Sequence, residues 1–227
     1  MVILDASDEC HIALFDFSGA SVTRQFDIKV TQYACGDETG GPDGCLQYFT
    51  GIAGTLASFN FPTEAATLSS TVTHLSNQCY TICFRQEHDK CGICFTPVND
   101  GTIAPGSFGL SISSDAASAT GVQDSKCSED YLQIPGAERG STFEVGSTSA
   151  IFHSRICGRF FTHSDASGVG GTDNSESICT QRRPFRIHFK TDANENTLTE
   201  DEADMNEQVL APGGILGFNL NYALQDC

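Results

Sequence analysis

The chain is short of positive charge, of long apolar runs and of recognisable catalytic motifs. Twelve Lys and Arg stand against 29 Asp and Glu, a formal charge of −17. A field of that sign repels nucleic acid and anionic membrane surfaces, which excludes both as partners and leaves cations and basic proteins open. No run approaches the roughly 20 apolar residues that span a bilayer. No Asn-x-Ser/Thr acceptor occurs, so N-glycosylation is not expected. Helical periodicity is missing except over residues 198–210, which are acidic and uncapped, and no repeat of a length that would build a solenoid is present. There is no Gly-x-Ser-x-Gly elbow, no His-Glu-x-x-His pair and no phosphate-cradling glycine loop. Gly168-Val169-Gly170-Gly171 lies in a polar Ser/Asp stretch rather than between a strand and a helix. The six histidines are scattered. His153 and His163 fall near Cys157, but nothing selects a triad, and an enzyme is not expected.

Cysteine is abundant: eleven in 227 residues, with 22 glycines. In a chain also rich in Ser and Thr, that number points to a secreted, disulfide-bonded, extracellular protein. The total is odd, so at least one thiol is free or bonded elsewhere. Met1-Val2-Ile3-Leu4-Asp5 is too short and too soon acidic for a signal peptide, so a secreted product is expected to be a mature or trimmed chain. Short strand-like runs recur between turn signals: Cys79 to Arg85, Cys91 to Phe95, Ser107 to Ile112, Tyr131 to Ile134, Phe185 to Lys190 and Leu216 to Tyr222. Near the start, Phe26, Ile28 and Val30 alternate with Asp27, Lys29 and Thr31, the period of a half-buried strand. Residues 1–34 read as the terminal strands of a truncated β unit, residues 35–44 as a turn-rich linker, and residues 45–227 as the main domain. The fold class is all-β, a sandwich with long loops.

Cys79, Cys83, Cys91 and Cys94 form a C-x3-C-x7-C-x2-C run. In a cytosolic chain that spacing suggests zinc, whereas here disulfides are favoured. Cys79 and Cys83, four apart on a strand, share a face, which allows two bridges side by side. Cys91 and Cys94 are expected to close on each other, and Cys10 to seek Cys79. Asp192-x-Asn194-x-Asn196 echoes the start of an EF-hand loop, but Thr197 and Ala203 replace its required Gly and Glu. Residues 195–207 therefore read as a solvated acidic loop.

Taken in order, these fragments resemble a CUB domain. Cys45 followed by Gly54-x-Leu56-x-Ser58-Phe59-Asn60-Phe61-Pro62 is similar to its opening, and Tyr80-x-Ile82 to its Trp-x-Ile strand. Cys127-x-x-Asp130-Tyr131-Leu132-x-Ile134 resembles its Cys-x-x-Asp-x-Leu-x-Ile strand. Cys157-Gly158, Phe189-x-x-Asp192 and Gly217-Phe218-x-x-x-Tyr222 resemble its later landmarks. The stretch from Ile28 to Gly36, Gly41-Pro42-x-Gly44-Cys45-Leu46-Gln47-Tyr48 and Cys91-x-x-Cys94 resemble secreted arthropod members, many without an assigned activity. The resemblance implies a jelly-roll β-sandwich, an extracellular location, and bridges Cys127–Cys157 and Cys45 to Cys79 or Cys83. It also implies calcium at Asp130 and Asp192, with Asn194 adding an oxygen, since hard oxygen ligands on neighbouring loops suit that ion. The family's Glu falls on Val122 here and Asp124 is out of step, so one ligand is missing or shifted. The alternative is that Asp130 closes its loop by accepting backbone hydrogens.

Three functions follow from the resemblance and from the residues, the second of them from the apolar stripe of Phe26, Ile28 and Val30 and the odd cysteine. The first is a non-catalytic module for recognition of an extracellular protein or glycan and for assembly, assisted by calcium if the ion binds. The second is a self-assembling structural protein, linked by strand addition at the open edge near residues 26–31 or by an interchain disulfide. The third is the accessory domain of a secreted protease.

Overall fold

The computed structural model describes residues 12, 14, 15, 23, 25, 27–32, 34, 40–61, 73–98, 107–110, 120–122, 127–139, 154–158, 161–162, 176–193 and 216–227. Contacts divide the chain into two units, Met1–Gly40 and Gly41–Cys227. In the first, residues 27–32 lie in no strand and are exposed, Ile28 at 62% and Val30 at 79%. The strand expected from their alternation is therefore not formed. Alternation only permits a half-buried strand, and among the described residues nothing covers Ile28 or Val30.

Among the described residues the second unit has twelve strands: β1 Gln47–Phe49, β2 Ala53–Ala57, β3 Cys79–Phe84, β4 Lys90–Pro97, β5 Phe108–Gly109, β6 Thr120–Val122, β7 Tyr131–Gln133, β8 Glu138–Arg139, β9 Arg155–Gly158, β10 Ile178–Thr180, β11 Arg186–Lys190 and β12 Gly217–Asp226. They form two sheets, β1-β3-β11-β7-β9-β6 and β2-β12-β4-β10-β8, with β5 pairing β12 off the second path. Pairing is antiparallel except between β1 and β3. The described elements are all strands, the two-layer all-β sandwich that the alternating runs predict.

The core lies between the sheets and follows the period of two. Tyr80, Ile82 and Phe84 of β3, Ile187 and Phe189 of β11, Leu132 of β7 and Ile156 of β9 face inward from the first sheet. Leu56, Ile93, Phe95, Ile178, Phe218, Leu220 and Tyr222 meet them from the second. Two motif positions gain a physical reason here. Gly54 is paired with Tyr222, and a Cβ there would come within 2.7 Å of that ring. Gly217 has φ +99°, and a Cβ would sit 2.1 Å from Ser58 Oγ, the same hydroxyl that accepts the Phe218 amide at 3.1 Å. Glycine is required at both because backbone and side chain approach too closely for any other residue.

Candidate functional site

Four disulfides staple the described sandwich: Cys45–Cys83, Cys91–Cys227, Cys94–Cys179 and Cys127–Cys157. Cys91 and Cys94 do not close on each other. Three apart on one strand, they point to opposite faces of β4, and each takes a partner on its own side. Cys94 lies directly opposite Cys179 in the β4–β10 register. Cys45 reaches Cys83 because parallel β1 sets Tyr48 against Cys83. Cys79, at the far end of β3 beside Lys190, is exposed and forms no disulfide, so neither a second bridge beside Cys83 nor a Cys10–Cys79 bridge is present. Cys10 and Cys35 lie outside the described residues. With Cys83, Cys91 and Cys94 all oxidised to partners beyond the C-x3-C-x7-C-x2-C run, the zinc reading falls away.

Asp130 and Asp192 come together, and Asn194 lies outside the described residues. Asp130 is buried, at 1% exposure. Its Oδ1 accepts the backbone N–H of Asp192 at 2.7 Å, and its Oδ2 lies 3.4 Å from His74 Nε2. Calcium takes six to eight oxygens at about 2.3–2.6 Å. In the described residues each carboxylate oxygen of Asp130 faces a protein group, the Asp192 amide or His74. Among the described residues no group of three His, Cys, Asp or Glu side chains is placed to hold a metal. Glu129 stands beside the pair at the rim. Desolvation, then the charges of Asp192 and Asp130, raise its carboxyl above the ordinary range, with Lys190 opposing. The His74–Asp130 pair has the residue types of a catalytic dyad, but both side chains are 0% exposed and cannot touch a substrate.

The other polar feature is the outward face of the first sheet. With Ile187 and Phe189 in the core, Arg186, His188 and Lys190 of β11 all project the opposite way. Beside them stand Thr81 on β3, Tyr131 and Gln133 on β7, and Arg155 on β9, in register across the sheet. The Tyr131 ring is flanked by two cations, the Arg155 guanidinium at 4.5 Å and Lys190 Nζ at 5.5 Å from its centroid. Arg155 also donates to the Cys127 carbonyl at 3.3 Å, and Lys190 to the Ser128 carbonyl at 3.2 Å. None of the six strands of this sheet contains an Asp or Glu, although acids outnumber bases 29 to 12 in the whole chain.

His188 Nδ1 and Thr81 Oγ1 share a hydrogen bond of 2.9 Å in the middle of this face. Burial, then the nearby Arg186 charge, push the His188 imidazole below its ordinary value of 6.5. The unfolded chain therefore takes up the proton first as pH falls through 6.5, and the native state loses stability in that window. Urea midpoints measured on either side of 6.5 should fall more for the wild type than for His188→Gln. Equal falls would show that this histidine contributes nothing to the acid sensitivity.

His74 carries no motif and sits in a polar stretch, so nothing local marks it. The cationic face was readable in principle from Arg186-Ile187-His188-Phe189-Lys190, where every second residue is basic, but only the register adds Tyr131 and Arg155. A family model described as Animal CUB domain matches residues 42–225. No curated protein matches the chain. Among solved structures, the CUB1-EGF-CUB2 domains of rat MASP-1 are similar at 14% identity and a TM-score of 0.34, over 80% of this chain and 41% of that one. The chain thus spans less than half the length of that structure.

Proposed function

The chain belongs to the animal CUB domain family, and on that premise we propose that it works outside the cell by docking an acidic segment of a partner protein on the outward face of its β1-β3-β11-β7-β9-β6 sheet. CUB domains are non-catalytic protein-interaction modules, commonly extracellular, and the four disulfides suit that compartment. The observation that carries the proposal is the segregation of charge: a sheet without one carboxylate, lined by Arg155, Arg186, His188 and Lys190, in a chain of net charge −17. Tyr and Arg are the side chains that most often anchor protein interfaces. At physiological salt charges act over about 8 Å, so the face attracts an acidic partner at contact while the rest of the surface discourages other acidic approaches. The likeness to secreted arthropod members belongs to the same reading.

Binding to an immobilised poly-glutamate peptide at physiological salt tests it. Reversing the central pair with Arg186→Glu and Lys190→Glu should weaken capture at least about tenfold, since like charges across an interface cost more than one unit of 1.4 kcal/mol. Equal capture of both proteins, or capture of heparin with none of the peptide, would overturn the acidic-protein reading. Self-assembly keeps one observation in its favour, the exposed and unbonded Cys79 on β3. A dimer on a non-reducing gel that collapses on reduction, and is missing in Cys79→Ser, would mark that second route.

A further inference from the structure

We propose that His74 stands where a CUB-type calcium ion would sit, so that this domain secures the Asp130 end of its sandwich with an internal imidazole and does not use calcium there. The inference is independent of the docking face. A buried carboxylate must be compensated by charge or by hydrogen bonds. Asp130 has the Asp192 amide on Oδ1 at 2.7 Å and His74 Nε2 facing Oδ2 at 3.4 Å, with the His74 and Asp130 side chains at 0% exposure. Calcium–oxygen distances of about 2.3–2.6 Å leave no space for an ion between Oδ2 and the ring nitrogen, so the imidazole occupies that side of the carboxylate.

The imidazole is held against leaving. Its ring lies edge-on to Phe189, with centroids 6.3 Å apart at 82°. Its backbone segment is strapped to the end of β11: Thr191 N–H donates to the Gln78 carbonyl at 2.9 Å and Thr191 Oγ1 to the Leu75 carbonyl at 2.8 Å. In return Gln78 N–H donates to Thr191 Oγ1 at 2.8 Å and Asn77 N–H to the Asp192 carbonyl at 2.5 Å. These bonds, with the His74–Asp130 contact, tie residues 74–78, 130 and 191–192 into one unit. That is the cross-linking a cation shared between loops would supply. Among the described residues, Glu129 and Asp192 are acids beside the pair, and Lys190 opposes their effect on Glu129.

The test is thermal unfolding of the full chain in millimolar calcium and in EDTA. The wild type should melt at the same temperature in both. His74→Ala, which strips a buried carboxylate of its facing group, should melt lower on the order of ten degrees. A wild-type melting temperature that rises with calcium overturns the proposal. So does a His74→Ala variant that melts with the wild type. If that variant fails to fold, the wild-type calcium comparison still decides.

Discussion

Replacing Cys94 and Cys179 together by alanine should lower the stability of the second unit by about 4–5 kcal/mol, the chain-entropy value for a bridge of this span. The two residues are 85 apart in sequence, and the closed loop removes unfolded conformations that the open chain regains. For a unit of this size the loss should lower the melting temperature by roughly 10–20 °C. The position adds to the entropy. β10 is only three residues long, and its other neighbour, β8, has two, so its place depends on its pairing with β4. Both sulfurs are buried, Cys94 at 6% and Cys179 at 2% exposure, and truncation also leaves a small void. Removing Cys127 and Cys157, 30 apart, should cost roughly 1 kcal/mol less by the same logarithm. Calorimetry of the two double variants under non-reducing conditions measures the difference. A Cys94/Cys179 variant that melts with the wild type would mean that the bridge constrains nothing the fold needs.

Phe84→Ala should cost about 3–5 kcal/mol, the usual range for emptying a large aromatic site. Phe84 belongs to β3 in the first sheet, and its ring meets rings from both layers. It stacks on Phe49 at 5.6 Å and crosses Phe95 at 5.4 Å and Tyr222 at 4.9 Å. Such pairs add about 0.5–1.5 kcal/mol each beyond the area they bury. The void would fall between the sheets, where Phe95 is 0% and Tyr222 is 3% exposed, leaving little freedom to collapse into it. Phe84→Leu should recover more than half the loss. Denaturant midpoints of the two variants give the answer. Equal losses for Leu and Ala would show that the ring contacts, rather than the filled volume, hold the layers together.

The strands of the main unit were legible because burial on one face imposes a period of two. Ile187 and Phe189 alternate with Arg186, His188 and Lys190, and nothing else in that stretch competes with a strand. The bridge partners of Cys91 and Cys94 were not legible. Strand geometry already forbids Cys91–Cys94, since three apart means opposite faces, but choosing Cys179 and Cys227 needs the pairing of β4 with β10 and β12. Residues 27–31 show the opposite failure: a good local period does not by itself make a strand. His74 was illegible for a third reason. Its role comes from Asp130, 56 positions away, by the numbering of the two residues, and a single histidine in a polar segment gives no local sign of a buried partner.

The place of β12 in the second sheet sets a timetable for biosynthesis. Gly217–Asp226 lies between Ala53–Ala57 and Lys90–Pro97, pairing with the first over Asn219–Ala223 and with the second over Leu220–Asp226. It also brings Phe218, Leu220 and Tyr222 to the core. Until those ten residues leave the ribosome, β2 and β4 have no common neighbour, and the inner face of the sheet stands open. The second sheet therefore cannot close until synthesis reaches β12. The edge of β2 waits across more than 160 residues, from Ala53 to Gly217, the kind of long-range pairing that leaves β-topologies open to aggregation and dependent on chaperones. Oxidation of Cys91 waits longest, because its partner, Cys227, emerges after the strand itself.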